Sequence, residues 1–235
     1  MIKSLNSILK KTYLYKGDDP FSSHNRIAKI IVNSAKKDVL DIGCNQGFIG
    51  QALVKRGFTG KIIGLDIDKK HQNIKGKYNY LDFIELDVEN NLKRLRQKYE
   101  VIVLGDVLEH LINPIKVLHN LKQYLKSDGL LIISLPNIAN VYFRLHLLFG
   151  KFEYSQRGIL DKNHLRFYTY NTALKLIEES GLKLVSWEIT PIPLPLIHQI
   201  FSCQKPLFWA YYLFNKLTKF KPSLFGYQFI FACKL

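Results

Sequence analysis

The stretch Val39-Leu-Asp-Ile-Gly-Cys-Asn-Gln-Gly47, running on into Phe48-Ile-Gly-Gln-Ala-Leu-Val-Lys-Arg56, decides the fold. A short apolar run over 38–42 carries a carboxylate, Asp41, and leads into a turn that holds Gly43 and Gly47. After it, Ile49, Leu53 and Val54 recur at helical spacing. This reads as buried strand, tight loop, helix. A turn with bare backbone at a helix N-terminus lets a nucleotide-like ligand pack directly on peptide groups. Asn45 stands between the two glycines, and Asn is the residue other than glycine that best tolerates positive φ. A dinucleotide fingerprint, GxGxxG, starting at Gly43 would need glycines at positions 45 and 48. Asn45 and Phe48 stand there, so the spacing argues against nicotinamide or flavin.

Moving outward, the same unit repeats. Strands are predicted over 61–65, 80–86, 101–104 and 130–134, with a short helix after Asp68 and helices over 91–97 and 114–125. Upstream, a helix over 23–36, capped by Ser22 or Ser23, should cover one sheet edge. Downstream come a helix over 138–149, an irregular stretch over 150–166 and a helix over 172–180 ended by Gly181. Strands over 182–189 and 227–233 should form an antiparallel, hairpin-like pair closing one edge. Alternation of strand and helix calls for right-handed crossovers. The expected class is therefore α/β: a doubly wound, mainly parallel seven-stranded sheet with an antiparallel C-terminal strand.

The length of 235 residues suits one such domain, over 23–235, with a basic arm over 1–22 and an apolar, Pro-rich insertion at about 190–225. A 47% hydrophobic and 23% charged composition excludes a disordered chain. The net charge of +15 favours an anionic partner: nucleic acid, lipid headgroups or a phosphorylated substrate. Lys3, Lys10, Lys11 and Lys16 concentrate some of it in the arm, although a general richness in lysine accounts for it equally well. Tyr13 and Tyr15 only thinly supply the aromatics that single-stranded nucleic acid would want, which makes nucleic acid the weaker partner. Cys44, Cys203 and Cys233 have no CxxC spacing, which excludes a disulfide framework and a zinc knuckle and fits a cytoplasmic protein. The N-terminus lacks the apolar core of a signal peptide. Pro191, Pro193, Pro195, Lys205 and Pro206 break the apolar stretch over 189–217. It is too interrupted to span a membrane, and it reads either as a flap over the sheet or as a membrane-surface contact through 190–217.

Two further carboxylates end strands. Asp66 falls about 20 residues after the loop, where an acid can accept hydrogen bonds from both ribose hydroxyls, and Asp68 suits the cap of the next helix. Asp87 follows the third strand.

Asp41, Gly43 and Gly47 resemble the DxGxGxG motif of the class I methyltransferases, with Asn45 at the middle glycine. The segments Val103-Leu-Gly-Asp-Val-Leu-Glu-His-Leu-Ile-Asn-Pro114 and Leu125-Lys-Ser-Asp-Gly-Leu-Leu-Ile-Ile-Ser-Leu-Pro-Asn137 are similar to the ubiquinone-biosynthesis O-methyltransferases and MetW-like proteins. So are Gly158-Ile-Leu-Asp-Lys-Asn-His-Leu-Arg-Phe-Tyr-Thr169 and Gly226-Tyr-Gln-Phe-Ile230. The resemblance implies S-adenosylmethionine as cofactor, on Asp41, Gly43, Cys44, Gly47, Asp66, Ile67, Asp87, Val88 and Gly105. Asp87 would face the adenine amino group, with the Val88 amide beside it. The resemblance also implies methylation of a small-molecule or glycan hydroxyl.

Asp106, Glu109 and His110 have i, i+3, i+4 spacing, a face on which two carboxylates and an imidazole can hold a hard divalent metal such as Mg. Small-RNA 2′-O-methyltransferases, a rival reading for the whole chain, use a similar ExxEH set with a distant His, a part His164 would take here. His164 can instead be a metal-free general base. Glu109 and His110 can equally cap the next helix and bond the loop around Asn163. Arg157, Arg166, Tyr154, Tyr168 and Tyr170 either line a substrate mouth or pack on the surface. A non-catalytic basic scaffold is the alternative from another class.

Overall fold

The computed structural model describes residues 19–194 and 205–235. The lysines and tyrosines of the arm up to Lys16, together with Pro195 and Cys203, lie outside the described residues. Residues 19–22, assigned to the arm from sequence, are packed: Asp19 Oδ2 accepts from the Tyr211 hydroxyl at 2.7 Å, and Phe21 stacks on Phe208.

The elements run α1 (Ser23–Asn33), β1 (Asp38–Ile42), α2 (Phe48–Lys55), β2 (Lys61–Asp66), β3 (Tyr80–Glu85), β4 (Tyr99–Gly105), α3 (Pro114–Leu121), β5 (Leu125–Pro136), α4 (Val141–Leu148), α5 (Tyr170–Glu179), β6 (Lys183–Thr190), α6 (Phe208–Phe220), α7 (Pro222–Phe225) and β7 (Gln228–Lys234). The strands form one seven-stranded sheet in the order β3-β2-β1-β4-β5-β7-β6. β1 to β5 are parallel, and β7 is antiparallel to both β5 and β6. The fold class expected from the alternation holds.

Alternation within each strand divides the core into two layers. On β4, Ile102 and Leu104 face α3 and α5, meeting Leu118, Leu121, Ala173 and Ile177. Val101 and Val103 face the other way, onto Ile27, Ala28 and Ile31 of α1 and Ala52 and Leu53 of α2. α1 therefore lies over the sheet face, packed on α2 and across β4, β7 and β6, not over an edge as expected. Its three fully buried apolar residues need a partner surface, and an edge would give them only half of one. Ser22 caps α1 by accepting from the Asn25 amide.

The helix expected over 91–97 shrinks to a single 3-10 turn, Leu92–Arg94. Leu92 and Leu95 are its only buried apolar anchors, three residues apart, and one turn satisfies them. Nucleating a longer helix has no further burial to offset it. The residues around Asp68 behave as read: Asp68 accepts from the Lys70 amide at the start of a 3-10 helix. Gly181 closes α5 with φ 65°.

Candidate active site

Asp41, Asp66, Asp87 and Gly105 stand at or just beyond the carboxyl ends of β1, β2, β3 and β4, the end of a doubly wound sheet at which ligands bind. Gly43, Asn45 and Gly47 have φ of 69°, 45° and 76°, so the turn after β1 is left-handed at alternate residues. A Cβ on Gly43 would lie 2.6 Å from Val107 Cγ2, so backbone conformation and space both call for glycine there. The turn is tied down locally. The Gly43 and Cys44 amides donate to the Leu65 carbonyl, at 2.8 and 3.1 Å, and the Gly47 amide donates to the Cys44 carbonyl at 2.8 Å. Cys44 is buried and would be 2.9 Å from a Cβ at Gly64, so its side chain packs beneath the loop while its backbone forms the turn.

Asp66 is buried and joins the turn to β2. One carboxylate oxygen accepts from the Asn45 amide at 2.9 Å and faces His71 Nδ1 at 3.2 Å; the other accepts from the Asp68 amide at 3.0 Å. Each oxygen keeps acceptor capacity for a hydroxyl. Asp87 is bound into its own loop, accepting from the Glu89 amide at 2.9 Å and Asn90 Nδ2 at 2.6 Å. Val88 is buried beside it, while Ile67 is 68% exposed. Gly105 ends β4 where a Cβ would press on Ile49 at 3.1 Å.

Asp41 brings in a residue the sequence reading missed. Tyr80, fully buried at the start of β3, donates its hydroxyl to Asp41 Oδ2. Asp41 Oδ1 is buried with no hydrogen-bond partner among the described residues, and so is Asn45 Oδ1. Burial pushes the Asp41 carboxyl up to about 7 against the pull of Tyr80, and Asp66 adds to the rise. The signal for Tyr80 lay in Gly50 and Gly64, whose missing Cβ atoms make room for its ring: a Cβ would come within 2.3 Å of it from Gly50 and 3.2 Å from Gly64.

Beyond β4, Glu109, His110 and His164 come together, each offering a ligand atom within 4.8 Å of the others. The imidazoles stand edge to face, centroids 4.7 Å apart. His110 Nδ1 meets the Asn163 carbonyl at 3.1 Å, and His164 Nδ1 meets the Ile159 carbonyl at 2.9 Å. A carbonyl only accepts, so both rings carry a proton on Nδ1 and leave Nε2 as the nitrogen without a carbonyl partner. Burial lowers the His164 pKa, the Ile159 carbonyl opposes this, and His110 lowers it further.

Asp106, expected in this cluster, is not part of it. It takes a left-handed φ of 57° after β4, and its carboxylate turns to the Ser134 hydroxyl at 2.6 Å and Gln228 Nε2 at 2.6 Å. The sheet neighbours β5 and β7 capture it, and the helix that would have aligned it with Glu109 is only a 3-10 turn, Leu108–His110. Arg166 is likewise occupied: Nε donates to the Leu111 carbonyl at 3.2 Å and Nη2 to the Ile112 carbonyl. Tyr168 is buried and Tyr170 packs on Trp187 and Phe229. Of the group expected at a mouth, Tyr154 is exposed and Arg157 half-buried.

The fully buried amides of Asn137 and Asn140, also unforeseen, both donate to the Gly226 carbonyl at 2.8 Å. They tie the end of β5 to the return into β7.

A family model described as a methyltransferase domain matches residues 16–187. A ubiquinone biosynthesis O-methyltransferase of Actinobacillus pleuropneumoniae is 33% identical over 110 residues, 43% of this chain and 46% of that protein. The chain thus spans about half the length of the curated relatives it matches first. Among solved structures, a SAM-dependent methyltransferase from Archaeoglobus fulgidus superposes with a TM-score of 0.59 at 19% identity, covering 95% of this chain and all of its own. Magnesium protoporphyrin IX methyltransferase from Synechocystis, solved with S-adenosylhomocysteine, gives 0.59 at 15% identity over 99% of this chain and 93% of its own. At these identities the structures speak for the fold, and the matched segment speaks for the lineage. With that match covering well over half its length, the chain belongs to the methyltransferase-domain family.

Proposed function

We propose that the chain transfers the methyl group of S-adenosylmethionine to a hydroxyl oxygen of a small-molecule or glycan acceptor. The observation that carries this reading is the left-handed turn from Gly43 to Gly47 with two buried, unpartnered acceptors, Asp41 Oδ1 and Asn45 Oδ1, beside it. Such acceptors cost free energy until a donor meets them, and a cationic, amine-bearing ligand is a donor of the right sign. When bound, S-adenosylmethionine supplies an electrophilic methyl carbon on sulfur and leaves as a neutral thioether. Asp66 accepts the ribose hydroxyls, Asp87 and the Val88 amide flank the base, and Gly105 and Ile67 leave backbone and apolar surface against which it packs.

His164 would take the acceptor's hydroxyl proton on Nε2, and S-adenosylmethionine, when bound, would supply the methyl group to that oxygen. Its lowered pKa keeps the ring neutral and ready as a base at pH 7.

Glu109, His110 and His164 favour a second reading, in which they hold a divalent ion. When bound, such an ion lowers the pKa of the acceptor hydroxyl. One carboxylate and two imidazoles make a nitrogen-rich donor set that suits Mn or Zn better than Mg, whose preference is oxygen. The Mg expectation weakens with the loss of Asp106 from the set. Relatives named for O-methylation support the hydroxyl acceptor.

Calorimetry with S-adenosylmethionine and S-adenosylhomocysteine tests the core of the proposal. Binding to wild type that is lost in Asp66→Ala is expected. A folded protein that binds neither compound overturns it.

A further inference from the structure

α6 is amphipathic the wrong way round for a helix of a water-soluble surface. Its protein-facing residues are Tyr211, Asn215 and Thr218. They are held by polar bonds: the Tyr211 hydroxyl donates to Asp19, and Asn215 Oδ1 accepts from Arg26 Nη2 at 2.5 Å. Arg26 also pairs with Glu188 of β6, so α6 is pinned in orientation to α1 and the sheet edge. Its outward side carries Trp209, Tyr212, Leu213, Lys216, Leu217 and Phe220, an i, i+3, i+4, i+7, i+8, i+11 stripe on one face. Trp209 is 63% exposed and Phe220 is 77% exposed. A helix packed on a globular core normally buries this stripe and exposes its polar side.

Charge identifies what covers the stripe. After Glu188 the sequence contains no Asp or Glu, while Lys205, Lys216, Lys219 and Lys221 lie in or beside α6. Lys216 sits within the stripe, its Nζ 5.0 Å from the Tyr212 ring, and Lys205, Lys216 and Lys221 form no ion pair among the described residues. An apolar face with Trp and Tyr, threaded by lysines that can snorkel and lacking any carboxylate, matches the headgroup boundary of an anionic bilayer. Among the described residues no helix is long and apolar enough to cross a membrane.

We propose that α6 is an interfacial helix that docks the chain flat on an anionic phospholipid bilayer, with Trp209, Leu213, Leu217 and Phe220 inserted and the lysines at the phosphates. α6 lies beyond residue 187, where the family match ends, so this inference does not rest on the methyl-transfer reading.

The test uses the full chain with vesicles of phosphatidylcholine, alone or mixed with phosphatidylglycerol, in a Trp187→Phe background that leaves Trp209 as the sole tryptophan. Expected results are sedimentation with the mixed vesicles only, weakening as salt is raised, and quenching of Trp209 by brominated acyl chains. Lys216→Gln and Lys221→Gln should each weaken partition by about fivefold. Trp209→Ser combined with Phe220→Ser should weaken it by about tenfold or more, since burial of each side chain contributes on the scale of a large apolar residue. Circular dichroism verifies that the variants are folded. Absence of binding to mixed vesicles, binding that leaves Trp209 unquenched, or binding indifferent to these substitutions overturns the proposal. So does a lipid-free dimer that shields Trp209, because a second copy would then be the cover. Calorimetry with S-adenosylhomocysteine on the same variants reads the cofactor site separately, so failure of one proposal is not mistaken for failure of the other.

Discussion

The loops after β1 to β3 and the cluster after β4 are built differently. On the side of β1 to β3, the turn after β1 closes as its own amides donate to the Cys44 carbonyl and to the Leu65 carbonyl of the adjacent strand, and Asp66 and Asp87 accept from backbone N–H groups of their own or a neighbouring loop, while Asp41 accepts from the Tyr80 hydroxyl. On the side of Glu109, the cluster is assembled from segments some 50 residues apart: the Glu109 carbonyl accepts from the Leu165 amide at 2.9 Å and the Arg166 amide at 3.1 Å, bringing His164 over His110. The first side is preformed by local backbone geometry. The second exists only because 158–168 lies down on the turn after β4. Binding of the donor should therefore be insensitive to changes on the acceptor side, while chemistry should depend on them.

The largest effect that tests this separation is on His164→Ala. It should lower kcat by roughly 10²- to 10⁴-fold with cofactor affinity unchanged. Loss of affinity in parallel would show that the two sides are one structure. Strong chelation distinguishes the two roles of His164, since activity that survives it removes the metal and leaves the base.

Asp66→Ala gives the converse, with an expected loss of cofactor affinity of roughly a hundredfold, the scale of two charge-assisted hydrogen bonds. Retained affinity would break the assignment of the ribose site.

Asp41 supplies a pH test. Its folded pKa, about 7, lies above the ordinary 3.8, so its contribution to stability is fully present below pH 3.8 and is lost as pH rises through about 7. Asp41→Asn, which keeps an acceptor for Tyr80, should therefore gain on wild type by roughly 2–3 kcal/mol between pH 5 and pH 8, read by urea unfolding without cofactor. A gap that stays constant would mean that Asp41 is ionised throughout this range and that burial does not raise its pKa.

Asn137→Ala should cost about 1–2 kcal/mol of stability, because the Gly226 carbonyl keeps Asn140 as a partner while the Ser223 carbonyl, which accepts from Asn137 Nδ2 at 3.1 Å, loses its bond. A loss of cofactor affinity without a loss of stability would move Asn137 from the frame into the site.

The same division explains what could be read from residues. The order of strands and helices, the turn with Asn45 in a left-handed conformation and the cap at Asp68 follow from spacing within a dozen residues, which apolar periodicity and backbone sterics fix locally. The length of the segment over 91–97 and the position of α1 differ from what spacing predicts because both depend on how much distant surface is there to be buried. Tyr80 lies 39 residues from Asp41 in sequence, and only the missing side chains of Gly50 and Gly64 mark the space its ring fills.

The sequence by itself determined the doubly wound sheet and the strand-end carboxylates, since these rest on short-range repetition of side-chain type, and its motifs carried the resemblance to the family. Only the tertiary structure decided that Asp106 belongs to Ser134 and Gln228, that His110 and His164 face each other with Nε2 presented, and that the apolar stripe of α6 points outward. Those outcomes turn on which of several polar or apolar surfaces a side chain meets across the fold, and a side chain with two possible partners carries no mark in the sequence of the one it takes.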